Sequence, residues 1–148
     1  MRFEDIRVGA EVPVAELSLT ATRIVAGAIA SRDFMPVHHD HAYATAQGAP
    51  DIFMNILTTN GHISRFVTDW AGPEAMIRRI AVRLGAPAVP GCVLRFTGRV
   101  ASVARDGREG VVELEVKATT ELGDHASGSV TFTLPLEPEG ATPARPAR

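Results

Sequence analysis

From Met76 to Leu134 the chain alternates apolar and polar residues with a period of two. Ile80, Val82 and Leu84 alternate with Arg79, Ala81 and Arg83, and Leu94, Phe96 and Val100 with Arg95, Thr97 and Arg99. Val112, Leu114, Val116 and Ala118 alternate with Glu113, Glu115, Lys117 and Thr119, and Val130, Phe132 and Leu134 with Thr131 and Thr133. Such runs predict four strands buried on one face. Asp106-Gly107 and Gly123-Asp124 are tight-turn pairs, so successive strands there are expected to be antiparallel. Upstream the period changes. Ile56, Ile63, Val67 and Trp70, reinforced by Phe53 and Leu57, recur every three or four residues and predict one long helix over 52–71. Pro50 and Asp51 would open it and Gly72-Pro73 would end it. Gly61 costs such a helix about 1 kcal/mol relative to Ala, which suggests a close approach by neighbouring backbone.

Nearer the amino terminus, residues 1–11 read as a short lead-in. Val12, Val14, Leu17 and Leu19 mark a first strand over 12–20, with an irregularity near Ala15. Thr22 is the expected N-cap of a short helix over 23–30, with Ile24, Val25 and Ile29 facing inward. Residues 40–47 suggest another short helix, closed by Gly48. This inventory is α+β: one long helix and about five antiparallel strands in a single domain over 1–134. Residues 135–148 hold four prolines and no aromatic residue; such a segment buries too little surface to offset its ordering entropy and is expected to be a mobile tail.

Composition narrows the function classes. With 148 residues and 45% apolar content the chain has the makings of one globular core. A net charge of −2, from 15 basic and 17 acidic residues, offers no basic footprint for nucleic acid or an anionic membrane. Cys92 is the single cysteine, which excludes an internal disulfide and a multi-cysteine metal site. A reducing cytoplasm is the simplest compartment. The first residues mix charges without an apolar run, and no segment has the uncharged length of a membrane span, so neither export nor insertion is expected.

Acid, base and backbone breaker come together in one place, between Ala30 and Ala44. Asp33 and His38 are five residues apart, which on a continuous helix would separate them by about 140°. Pro36 lacks an N–H and disfavours helical dihedrals at Met35, so the chain must turn between them. A turn can aim both side chains at one point, where a carboxylate and an imidazole can hold a water and move its proton. The run His38, His39, Asp40, His41 also invites a metal reading, but neighbours in a turning chain rarely converge and no H-E-x-x-H spacing exists; no metal is expected. His62, His125 (in a turn) and Cys92 read as structural. The loop 85–91, with Pro87 and Pro90, lacks the pattern of a phosphate-binding glycine loop.

This stretch resembles the signature of the (R)-specific, MaoC-like enoyl-CoA hydratases: small residue, Gly, Asp, any, Asn, Pro, aliphatic, His, five residues, Ala or Ser. Ser31, Asp33, Pro36, Val37, His38 and Ala44 fit in register. Arg32 replaces the Gly, Met35 replaces the Asn, and the upstream aromatic is missing around Ala28. The segments T-R-I-V-A-G-A-I-A-S-R-D-F, D-I-F-M-N-I-L-T, F-V-T-D-W-A-G-P and L-G-D-H further resemble the small MaoC-like subunits of actinobacterial steroid enoyl-CoA hydratases, over about residues 14–134.

The resemblance implies a hotdog fold, in which a curled sheet wraps the long helix. It implies hydration of a steroid side-chain enoyl-CoA, with Asp33 as base and His38 as its partner. CoA then enters as part of the substrate, with no separate cofactor. It also implies a heteromer with a second MaoC-like hotdog subunit that carries an extra domain. Backbone N–H groups at the start of the long helix are the natural donors to the thioester oxygen. Phe53, Asn55 and Thr58 lie near that end and could line the pocket or cap the helix. Arg78, Arg79 or Arg83 could meet CoA phosphates. Three other readings stay open: a non-catalytic acyl-CoA-binding subunit, a general hydratase of fatty acyl-CoA, and a thioesterase whose carboxylate would be Asp51 or Asp69.

Overall fold

The computed structural model describes residues 1–136. After a 3-10 turn at Phe3–Asp5 come β1 (Glu11–Ser18), α1 (Ala21–Ala30), a second 3-10 turn (Pro36–His38), α2 (His41–Ala46) and α3 (Ile56–Ala71). The chain finishes with β2 (Met76–Leu84), β3 (Val93–Asp106), β4 (Glu109–Thr120) and β5 (Gly123–Pro135). The five strands form one sheet in the order β1-β3-β4-β5-β2, with every neighbouring pair antiparallel. Tight turns do join β3 to β4, at Gly107-Arg108, and β4 to β5, at Glu121-Leu122; the expected pair Gly123-Asp124 instead opens β5, opposite Thr120 and Thr119. Val112, Leu114, Val116 and Ala118 of β4 are all buried, as their alternation predicts. The irregularity near Ala15 is a register shift between Val12 and Ala15. β1 and β2 are the sheet edges, which is why Ile80 and Val82 of β2 are only half-buried.

The helix α3 lays Thr59, Ile63, Phe66, Val67 and Ala71 on the sheet. Phe66 stacks on Phe96 with ring centroids 5.8 Å apart, and Trp70 meets Phe132 edge-on at 6.3 Å. Gly72 ends the helix with φ 94°, donating its N–H to Thr68 O. A curled antiparallel sheet around one long helix is the hotdog arrangement.

Several boundaries differ from the sequence expectation. The long helix opens at Ile56, not residue 52, because Asn55 is its N-cap and the backbone before it is drawn into other contacts: Phe53 N–H donates to Val37 O (3.3 Å) and Met54 N–H to Ala88 O (2.9 Å). Sixteen residues give a helix of about 24 Å. Ile56 and Leu57 are exposed instead of forming part of the core face. Leu57 is rotated about 100° from Ile56, off the apolar stripe. Thr20, not Thr22, caps α1, its Oγ1 accepting the Arg23 N–H at 3.1 Å. Ile24 and Ala28 face inward while Ile29 is exposed. Gly61 has open space around it, so no neighbouring backbone explains it. The lead-in contributes Phe3 and Ile6 to the core. Pro135 closes β5, and Leu136 donates its N–H to Arg108 O at 3.2 Å; the rest of the expected tail lies outside the described residues. Among the described residues no helix is long and apolar enough to cross a membrane.

Candidate active site

The site begins with the way α1 stops. Arg32 N–H donates to Ile29 O at 3.0 Å and Asp33 N–H to Ala28 O at 2.9 Å, with Arg32 at φ 55°. This pair of bonds around a left-handed residue is the Schellman ending, and it fixes Asp33 directly after the helix. Met35 is then extended at φ −59°, ψ 129°, as a residue before proline should be, and Pro36 opens the 3-10 turn that carries His38. The turn sets His38 Nε2 3.2 Å from Asp33 Oδ2, so the structure brings the two expected residues together.

His38 is buried, and its Nδ1 lies 2.6 Å from Phe53 O. A carbonyl oxygen only accepts, so Nδ1 carries the proton and donates. Nε2 is left to face Asp33. The Phe53 ring stands edge-on to the imidazole, centroids 5.1 Å apart. Asp33 Oδ2 accepts from Asn55 Nδ2 at 2.9 Å. That hydrogen bond is the main reason the Asp33 carboxyl is held below the usual carboxylate range; burial opposes it, and the Met35 N–H and His38 reinforce it. Asp33 is therefore a carboxylate at neutral pH.

Asn55 itself is buried and fully used. Its amide also donates to Ser31 Oγ at 2.8 Å, while its Oδ1 accepts the Thr58 N–H at 3.0 Å. The side chain thus caps α3 and holds the Asp33 carboxylate. Phe53 and Asn55 line the cleft. Thr58 packs instead where α1 and α3 meet, against Gly27.

The cleft has a volume of about 420 Å³ and is lined by Asp33, His38, Phe53, Ile56, Leu84, Pro87 and His125 among others. Exposed Ile56 and Leu84 make its rim apolar. The first-turn N–H groups of Ile56 and Leu57 have no acceptor among the described residues. They sit at the positive end of the helix dipole, where the expected thioester-oxygen donors belong, but at residue 56 and not residue 52. A larger hollow of about 610 Å³ elsewhere on the sheet is lined by Glu11, Arg99, Glu115, Lys117 and Asp124, a mixture of charges without a paired acid and base.

The other candidates disperse. His41 Nδ1 contacts Asp51 Oδ1 at 2.8 Å, Asp40 caps α2 through Tyr43 N–H at 3.0 Å, and His39 is exposed. No three His, Cys, Asp or Glu side chains converge as a metal site among the described residues. Asp69 is taken up by Arg65 at 3.2 Å, and Arg78 by Glu109 at 2.6 Å; Arg79 and Arg83 lie exposed on β2. His125 is the residue that sequence reasoning misplaced. It lies on β5, where a register shift opposite Ala118 and Thr119 turns both His125 and Ala126 inward. Strict alternation would give only one of them to the core, so the sequence carries no signal for it beyond its place in L-G-D-H.

Residues 6–122 match the family described as MaoC like domain. The chain is 43% identical over 127 residues to the 3-oxo-4,17-pregnadiene-20-carboxyl-CoA hydratase beta subunit of Mycobacterium tuberculosis, covering 86% of this chain and 95% of that protein. It superposes with a TM-score of 0.81 on a chain of the crystal structure of the ChsH1-ChsH2 complex from Mycobacterium tuberculosis, at 43% identity, covering 86% of this chain and 98% of that one. The unliganded R-hydratase PhaJ1 from Pseudomonas aeruginosa shares the fold, with a TM-score of 0.81 at 19% identity, covering 99% and 96% of the two chains. The match spans both the turn that joins Asp33 to His38 and the helix that Asn55 caps, and the chain belongs to the MaoC-like domain family.

Proposed function

We propose that this chain is the catalytic subunit of a heteromeric hydratase that adds water across the C2–C3 double bond of a steroid side-chain 2-enoyl-CoA. The observation that carries the proposal is the Asp33–His38 pair, 3.2 Å apart at the head of a cleft with an apolar rim. Asp33 takes a proton from water as the water oxygen bonds C3. The electron pair of the double bond moves through C2 onto the thioester oxygen, which the Ile56 and Leu57 N–H groups stabilise. His38, its Nδ1 committed to Phe53 O, helps hold the water at Nε2, and the pair returns a proton to C2. The proton gained from water equals the proton delivered, so the two side chains finish as they began. Water and these residues suffice for the balance, with CoA present only as the thioester of the substrate.

The steroid substrate rests on the 43% identity to a subunit named for a pregnadiene carboxyl-CoA hydratase. The apolar rim is consistent with a bulky acyl group. The heteromer rests on the similarity to a chain of the ChsH1-ChsH2 complex and on the two open sheet edges, β1 and β2. The partner would be a second MaoC-like hotdog subunit that encloses the rest of the substrate.

The test is to purify the chain alone and with a MaoC-like partner encoded beside it, then assay steroid enoyl-CoA and crotonyl-CoA. Loss of enoyl absorbance is followed separately from release of free CoA. Only the assembled protein should hydrate the steroid thioester, and Asp33→Asn should lower kcat by roughly 10² to 10⁴. CoA release without enoyl loss would make the chain a thioesterase. Comparable kcat/KM for both thioesters would end the steroid assignment, and full activity of the isolated chain would end the heteromer.

A further inference from the structure

His125 is an imidazole that the reaction above leaves unused, yet it is 2% exposed and forms part of the cleft. Its Nδ1 lies 2.8 Å from Ala86 O, an acceptor, so Nδ1 holds the ring proton and donates. Burial pushes the imidazole pKa below its ordinary value, which keeps the ring neutral near pH 7. Nε2 then offers a lone pair 2.9 Å from Thr59 Oγ1, whose single proton it shares with the Asn55 carbonyl. Thr59 is fully buried one turn beyond Asn55, with Oγ1 3.1 Å from the Asn55 carbonyl.

The ring stands where two walls of the cleft meet. One wall, the segment 84–88, hangs on β5 through Gly85 N–H to His125 O and Ala86 N–H to Asp124 O, both at 2.8 Å. The other wall is the first turn of α3, whose cap Asn55 holds Asp33 at 2.9 Å. His125 joins the two walls, through Nδ1–H to Ala86 O and through Nε2 to the Thr59 hydroxyl. A histidine that only filled space could do so without both nitrogens engaged.

We propose that His125 is a positioning residue, which through Thr59 fixes the first turn of α3 and so the Asn55 amide that aligns Asp33 with His38. The kinetic part of this inference rests on the hydratase reading; the geometric part does not. Thr59→Val keeps the shape and removes the hydroxyl, whereas Thr59→Ser keeps the hydroxyl. In the assembled protein Thr59→Val should lower kcat about 10- to 100-fold with KM within about twofold, as misplacement of a reacting group does, and Thr59→Ser should restore it. In crystal structures of the same assemblies, the Asp33–His38 separation should lengthen by about 0.5 Å or more in Thr59→Val, beyond the tolerance of a working site, and return in Thr59→Ser. If Thr59→Val yields no folded protein, His125→Asn keeps a donor to Ala86, drops the Nε2 contact and carries the same expectation. An unchanged separation overturns the proposal, even where stability falls. A wild-type assembly inert towards enoyl-CoA would remove the hydratase reading, and the separation would still decide the role of His125.

Discussion

Asn55 donates a hydrogen bond to Asp33 Oδ2 at 2.9 Å while the same side chain caps α3 at Thr58, so one amide serves both the helix end and the carboxylate. The two duties separate by substitution. Asn55→Ala loses both, and should cost about 1 kcal/mol for the cap together with most of the turnover. Asn55→Asp keeps an acceptor for the Thr58 N–H but sets a second carboxylate against Asp33. Like charges that close share a proton, so the acid limb of kcat/KM should move up by about one pH unit or more. A pH–rate profile of Asn55→Asp unchanged from the wild type would show that Asn55 does not govern Asp33.

Arg32 occupies the left-handed position of the Schellman ending, at φ 55°, where a side chain costs about 1–2 kcal/mol and glycine costs nothing sterically. Arg32→Gly should therefore raise the urea midpoint by the equivalent of about 1 kcal/mol, after the greater unfolded-state freedom of glycine is allowed for. The slope of the transition should stay the same. A lower midpoint would mean that the arginine side chain contributes more than its backbone costs.

The Asp33–His38 turn could be read in the sequence because Pro36 breaks the chain locally, and the strands because their alternation is a local property. The start of α3 could not. Pro50, Asp51 and Ile52 look like a helix opening, but the distant Val37 and Ala88 carbonyls draw off the Phe53 and Met54 N–H groups, and the helix starts only after Asn55. Asn55 and His125 reach the site through contacts between residues far apart in sequence, and His125 needs a strand irregularity besides. Residues that align the pair are thus set by tertiary packing, while the pair itself is set by the chain's local chemistry.

Two helical glycines should respond oppositely to alanine. The interior of a helix favours alanine by about 1 kcal/mol, and Gly61 has nothing within 4 Å of an added Cβ, so Gly61→Ala should be stabilising by up to that amount. Gly27 faces α3, where a Cβ would lie 2.5 Å from Thr58 Oγ1 and 2.7 Å from Cγ2. Gly27→Ala should force α1 and α3 apart and destabilise by about 1–3 kcal/mol, as overpacking does. Chemical denaturation of both variants checks the pair. Equal effects would mean that the helices do not meet at Gly27.

Stability should fall in two stages as the solution is acidified. Burial lowers the pKa of His62, with Arg23 and Arg65 adding to the effect, and burial likewise lowers that of His125. Each folded value lies below the unfolded one, about 6.5, so between the two the unfolded chain binds more protons and stability rises with pH. That contribution is complete above about pH 6.5 and is lost as pH falls through the folded values. The Asp33 and Asp51 carboxyls, lowered chiefly by hydrogen bonds from Asn55 and His41, contribute stability present above about pH 4 and lost at lower pH. The unfolding midpoint should therefore begin to drop between pH 7 and 5, before these carboxylates titrate. His62→Gln removes one titrating imidazole at a half-buried position, so it should flatten this first stage and leave the acid stage below pH 4 unchanged. A midpoint already flat from pH 7 to 5 in the wild type would mean that neither imidazole is held neutral by the fold.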